Sequence, residues 1–178
     1  EARGGEVRTF EIAPEDFGFD DAALETWIGR VDGLEDAPVV RRLAEFDCRH
    51  HRLGQLALRQ DGFEARIAQA AARYGAARIG VFVGTSTSAI LETELAYRRR
   101  TAAGALPDDF RYRQTQNHYS GPDFVRRYLD LHGPAMAIST ACSSSAKVFA
   151  SACRYLDADL IDAAVVGGVD SLCLTTLY

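Results

Sequence analysis

The chain has 178 residues with 25 acidic against 20 basic side chains, a net charge of −5 and a pI near 5.4. That balance argues against a nucleic-acid partner, whose phosphates ask for a basic surface, and no stretch is long and apolar enough to span a membrane. With 47% of its residues apolar the chain can build the core of one domain, while four cysteines without C-x-x-C pairing argue against structural zinc and a disulfide framework.

Residues 1–20 are polar and lack a sustained period, with a short extended piece at 7–12. Asp20-Asp21 offers an N-cap ahead of Ala22, Leu24, Trp27, Ile28 and Val31, a stripe at helical spacing that predicts a helix to Gly33 with Trp27 in the core. Residues 38–46 read as a short helix or turn. The pattern over 47–74 is helical, with Leu53, Leu56, Ala57, Phe63, Ile67, Ala70 and Ala71 as its apolar face. Asp61-Gly62 is a possible break and Gly75 a fitting stop. Residues 78–85 form the first clear strand, apolar enough to be central in a sheet. A helix over 89–102 follows, exposing Glu92, Glu94 and Arg98 to Arg100. Residues 104–121 have no period and read as an irregular pocket-lining loop, and 123–131 read as another helix. A short apolar run at 134–139, a helix over 143–156 and a strand over 162–169 complete an alternating pattern that implies a layered α/β sheet.

Cys142 falls where the apolar run turns into the helix. There the unpaired backbone N–H groups and the positive end of the helix dipole favour a thiolate, the species that attacks, and the cysteine's own N–H can face an oxyanion. The other reading of a cysteine between Ala141 and Ser143 is a small buried hydrophobe. Residues 143–156 carry little charge beyond Lys147 and Arg154, which predicts a helix buried nearly all round.

The segment from Gly133-Pro134 through Thr140-Ala141-Cys142-Ser143-Ser144, followed by Asp162 to Asp170 with Gly167-Gly168, resembles the nucleophile region of β-ketoacyl-acyl-carrier-protein synthases. Phe46-Asp47 and the strand entering Gly84-Thr85-Ser86 agree with it, so the resemblance runs from about Phe46 to Tyr178. The wording from Ser143 to Ala152 looks closest to synthases of aryl-polyene and related type II pathways. The resemblance implies a thiolase-like α/β/α sandwich of which residues 1–178 are the N-terminal synthase domain, a fragment lacking the opening strand and the C-terminal half of the duplicated fold. It implies Cys142 as the acyl-accepting nucleophile in a decarboxylative condensation with malonyl-carrier. The family's two catalytic histidines and lysine belong to the second half.

The same resemblance implies an acyl carrier protein as partner, no cofactor, and a homodimer or synthase heterodimer paired through the strand at 134–140, while the cysteine spacing predicts no metal and the lack of both a membrane span and a leader segment predicts a cytoplasmic location. The carrier is acidic, so Arg49, Arg52, Arg111 and Arg113 are candidates for docking it, with a solvated charged face as the alternative for each. Asn117 and His118, in the loop, are candidate substrate contacts. None of His50, His51, His118 and His132 matches a catalytic histidine of the family, so surface or capping roles are expected. Ser143 to Ser145 read as helix-start caps, and Lys147 as a stem packed on the sheet. Three other readings stand beside the elongating synthase. One is a non-catalytic chain-length-factor-like partner, which in the family usually lacks the cysteine. The others are a thiolase or initiating synthase and a plain binding module.

Overall fold

The structure is a computed structural model that describes residues 9–11, 25–27 and 31–177. Near the start, strand β1 (Thr9–Glu11) pairs antiparallel with β2 (Glu25–Trp27), Phe10 standing opposite Thr26. The extended piece expected at 7–12 is thus present at its centre. The helix expected over 20–33 is not, since residues 25–27 are a strand. Helical spacing of apolar residues is a local preference, and cross-strand pairing of the backbone overrides it here. The rest of that expected helix up to Arg30, and the side chain of Trp27, lie outside the described residues.

A 3-10 segment (Arg41–Phe46), kinked at Leu43, leads into helix α1 (Arg49–Leu58), a short 3-10 piece (Gln60–Gly62) and α2 (Phe63–Tyr74). Asp61 and Gly62 break the run as expected, both with positive φ, and Gly75 ends it at φ 88°. The face that α1 buries differs from the expected one. His50, His51, Gln55 and Leu58 are buried, whereas Leu53 and Leu56 are half-buried and Ala57 is exposed. Gln55 explains part of this: its side-chain carbonyl accepts from Val40 N at 2.9 Å and its amide donates to Pro38 O at 3.0 Å, which ties the preceding segment to the helix.

Strand β3 (Ile79–Gly84) is buried at every position because it is central in a parallel sheet of order β4-β3-β5, between β4 (Ala135–Ile138) and β5 (Ala163–Gly168). Its alternation divides the core. Ile79, Val81 and Val83 face a cluster with Leu43, Phe46, Leu58, Phe124 and Tyr128, against which Phe63, Ile67, Ala70 and Ala71 of α2 pack. Phe82 faces the other way, onto Ile138, Val148, Ala152 and Ile161. Helices thus cover both faces, as parallel sheets require.

Between the strands run α3 (Ile90–Arg98), α4 (Ser120–Tyr128) and α5 (Ser144–Asp157), and a four-residue α6 (Leu174–Leu177) follows β5. Helix α4 starts three residues before Asp123, since Pro122 fits a first turn that lacks intrahelical partners for its N–H groups. On α3, Glu94 is not on an open face: its carboxylate accepts from Leu174 N at 2.8 Å and Thr175 N at 2.9 Å, and from the Thr175 hydroxyl. Helix α5 is buried along the stripe Ser144, Val148 and Ala152 only, and Phe149 is 57% exposed with Leu156 at 41%. Small and apolar side chains all round do not say which sides are covered, and the sheet covers one.

The first turn of α5 lies directly on the sheet. A Cβ at Gly84 would stand 2.7–2.8 Å from the backbone of Ser144 and Ser145, and one at Gly168 would meet the Ser145 hydroxyl. Gly54, inside α1, has open space around that position. Gly54→Ala should therefore raise stability by about 0.5–1 kcal/mol, whereas Gly84→Ala should lower it by about 2 kcal/mol or more, read from urea denaturation midpoints. Equal effects of the two changes would contradict this packing.

Candidate active site at a strand-to-helix turn

The carboxyl ends of three parallel strands meet under one helix start, the place where open α/β sheets hold ligands. Thr85 N donates to Ile138 O at 3.0 Å and Val169 N to Gly84 O at 3.0 Å, so the exits of β3, β4 and β5 are tied together. Between β4 and α5 the chain turns sharply at Ala141, whose φ of 53° lies in the left-handed region. For a residue with a Cβ that conformation costs about 1–2 kcal/mol, and it needs support. Ser144 supplies it, accepting from Thr140 N at 2.9 Å and donating to Ala141 O at 2.7 Å. Ser143 adds a bond from its hydroxyl to Thr140 O at 2.9 Å. The serine side chains therefore fasten the turn, and the Ser143 N-cap makes no side-chain bond to the N–H groups of α5.

Cys142 follows Ala141 on this turn and is exposed. The fourteen-residue helix α5 starts two residues later, so Cys142 stands next to the positive end of its dipole, while Ser143 N, Ser144 N and Ala146 N donate to Thr140 O, Ala141 O and Ser143 O. The buried-hydrophobe reading does not apply to this side chain. It applies to Cys48, where burial pushes the thiol up to about 12 and Sγ sits 3.2 Å from His51 Nδ1. Cys153, on α5, is exposed and Cys173 is buried.

His50 and His51 are the largest departure from expectation, because both are about 1% exposed in place of serving at the surface. Burial drives His50 down to about 3 and His51 to about 4, so both rings are neutral. The His51 ring stacks on Phe124 at 4.8 Å, with Nδ1 2.8 Å from Phe46 O and Nε2 3.4 Å from the Ser120 hydroxyl. The signal that could have found them is the spacing of His51, Gln55 and Leu58, one helical face whose first two members are polar. His118 and His132 are exposed, and His132 lies 3.8 Å from Asp130. Lys147 is also exposed, so its stem is not laid on the sheet.

The loop over 104–119 reaches the site through Ser88 and Gln116. The Ser88 hydroxyl donates to Thr115 O at 3.3 Å, and Gln116 accepts from the Thr93 hydroxyl at 2.9 Å. This brings Asn117 beside the loop that leaves β3. Its side-chain carbonyl accepts from Tyr119 N at 2.9 Å, an Asx-type turn that opens α4. His118 stands next to it, exposed.

The four candidate docking arginines do not form one basic face. Arg49 is paired with Glu35 at 2.8 Å, and Arg52 holds Asp47 through two bonds of 2.7 and 2.8 Å. The Arg52 guanidinium keeps the Asp47 carboxyl below the usual carboxylate range. These two arginines border a cleft of about 740 Å³ that also holds Asp32, Glu35, Asp36, Asp47 and Glu92, so carboxylates outnumber cations there. Burial raises Glu92. Arg111 borders the adjoining cleft, which shares Asp47 and Glu92, and Arg113 is exposed outside both. Among the described residues no helix is long and apolar enough to cross a membrane.

Comparison with known proteins places these elements in context. The family "Beta-ketoacyl synthase, N-terminal domain" matches residues 51–177, which include all three strands of the parallel sheet and Cys142. Polyketide synthase PksN of Bacillus subtilis is 28% identical over 165 residues, covering 85% of this chain and 3% of that protein. Polyketide synthase ThaG of Burkholderia thailandensis is 38% identical over 104 residues, 57% of this chain and 2% of that one. The solved structure of ketosynthase ApeO in complex with its chain length factor ApeC, from Xenorhabdus doucetiae, aligns with a TM-score of 0.67 at 36% identity, over 76% of this chain and 34% of that chain. The chain therefore spans a few per cent of the length of the curated relatives and about a third of the solved one.

Two measurements follow from the site's chemistry. The folded pKa values of His50 and His51 lie below the unfolded value near 6.5, so their contribution to stability is complete above about pH 6.5 and is lost as pH falls toward 4. Urea midpoints should drop between pH 6.5 and 4.5 with a slope approaching about 1.4 kcal/mol per pH unit per histidine, and His50→Leu should flatten the decline. An unchanged slope in His50→Leu would contradict a buried neutral ring. Iodoacetamide on the folded chain should label Cys142 and Cys153 while Cys48 and Cys173 react at least about tenfold more slowly, as peptide mapping reads directly. Labelling of Cys48 as fast as Cys153 would refute its buried placement.

Proposed function

Because this chain belongs to the β-ketoacyl synthase family, represented by that family's N-terminal domain, we propose that residues 1–178 form the acyl-accepting part of a ketosynthase with Cys142 as its nucleophile. The observation that carries the reading is the exposed thiol on the fastened turn at the amino end of α5. The Cys142 thiolate attacks the carbonyl carbon of an acyl group carried as a thioester. The new C–S bond forms as the carrier's sulfur leaves and takes up a proton, and the negative charge passing through the carbonyl oxygen is met by the Cys142 N–H and the positive end of the α5 dipole. A malonyl-carrier then loses carbon dioxide, its enolate carbon attacks the Cys142 thioester, and the thiolate is released. By resemblance that second step uses two histidines from the other half of the family's fold.

An acyl carrier protein is the proposed donor, in polyketide or fatty acid assembly, and the wording after Cys142 favours an aryl-polyene type of pathway. Arg111, exposed at the rim of the adjoining cleft, and Arg113, exposed outside both clefts, are the stronger docking candidates, and Asn117 and His118 are the proposed substrate contacts near the β3 exit. Among the described residues strand β4 lies at an edge of the sheet, which suits pairing with a second synthase subunit, identical or not. The solved relative is itself a ketosynthase bound to a chain length factor, in keeping with a heterodimer. A chain-length-factor-like role for this chain is disfavoured by Cys142, since such partners usually lack the thiol.

Incubation of the intact protein with an acyl-carrier thioester should leave an acyl adduct that peptide mass spectrometry maps to Cys142, and Cys142→Ala should abolish it. No adduct in a folded sample would overturn the proposal in favour of the non-catalytic partner.

A further inference from the structure

Two residues past the end of β5, Asp170 gathers the loop that leaves β3 around one carboxylate oxygen. Its Oδ1 accepts from the Thr85 hydroxyl at 2.8 Å, from Ser86 N at 2.8 Å and from Thr87 N at 3.2 Å. The Thr87 hydroxyl lies 3.4 Å from the same oxygen. The hydroxyl of Thr85, a residue 1% exposed, accepts in turn from Ser88 N at 2.8 Å, so residues 85–88 are folded as one unit about the acid. Burial alone would raise the Asp170 carboxyl, but the Thr85 hydroxyl and the Thr87 and Ser86 N–H groups outweigh it and hold the acid ionised.

That unit is the floor beneath the nucleophile's helix. Thr85 N bonds to Ile138 O, the last residue of β4, and Thr85 O lies 3.5 Å from the Ser144 hydroxyl that fastens the turn at Ala141. Gly84, bonded covalently to Thr85, is in contact with the backbone of Ser144 and Ser145. A shift of residues 84–85 therefore shifts the first turn of α5, and Cys142 with it. We propose that Asp170 is a positioning residue for Cys142, acting through Thr85 and the first turn of α5. This inference rests on the nucleophile assignment made above.

The role separates from general stability through the maximal rate. Single-turnover acylation of Cys142 by an acyl-carrier thioester gives a maximal rate and a half-saturating donor concentration, and labelling of Cys48 reports loss of the core. Asp170→Ala should lower the maximal rate roughly tenfold to a hundredfold with the half-saturating concentration within about twofold of wild type, because the group displaced is the attacking sulfur rather than the donor's binding surface. Asp170→Asn, which keeps an acceptor oxygen, should recover most of the rate. Asp170→Ala acylating as fast as wild type with Cys48 still protected overturns the positioning role alone. A wild-type protein that takes no acyl group at Cys142 overturns the nucleophile assignment itself. If Asp170→Ala exposes Cys48, Thr85→Val against Thr85→Ser decides: a rate lost in the first and kept in the second supports the role, and equal rates overturn it.

Discussion

The approach of the first turn of α5 to the ends of β3 and β5 is the constraint on which the other features depend. Gly84 and Gly168 leave no side chain between sheet and helix, so the backbone of Ser144 and Ser145 rests on the strands themselves. With the helix start that low, the connection from β4 must reverse within a few residues, and Ala141 takes a left-handed conformation to do so. The strain is held by Ser144, which is buried and bonded on both sides of the turn. Exposure of Cys142 is the geometric result, because a residue at the apex of such a turn stands clear of the sheet.

The chain contains the same functional group in opposite environments, and the contrast separates structure from chemistry. Cys48 lies under α1 among His51 and the Phe46 carbonyl, where removal from water disfavours the thiolate. Cys142 is exposed to solvent at the start of α5. Buried histidines follow the logic of Cys48. Desolvation keeps His50 and His51 neutral, so they pack as flat, weakly polar rings next to Phe46 and Phe124 rather than as proton carriers.

Charge is arranged locally rather than as one patch. Arg49 and Arg52 meet Glu35 and Asp47, and Arg99 meets Asp109 at 2.8 Å, which leaves the clefts beside α1 acidic or balanced. An arginine's position in the sequence shows that a cation is available, but its effective charge toward a partner depends on the carboxylates the fold brings beside it. The apolar side of α5 obeys the same rule for hydrophobic surface. Phe149 and Leu156 are exposed although Val148 and Ala152 on the same helix are core, because only one layer of the described residues covers the helix.

The sequence by itself determined the layered α/β class, the central place of residues 79–84, the break at Asp61-Gly62 and the position of Cys142 between a strand and a helix. Each rests on short-range patterns: unbroken apolar runs, glycine at a turn, and a motif confined to a dozen residues. Tertiary structure decided the rest, since it depends on partners distant along the chain. The exit loop of β3 is folded by an acid 85 residues later, α1 buries histidines because Phe124 and Ser120 come to cover them, and residues 25–27 become a strand only through pairing with residues 9–11. Local preference amounts to tenths of a kcal/mol per residue, and pairing and burial across the fold exceed it.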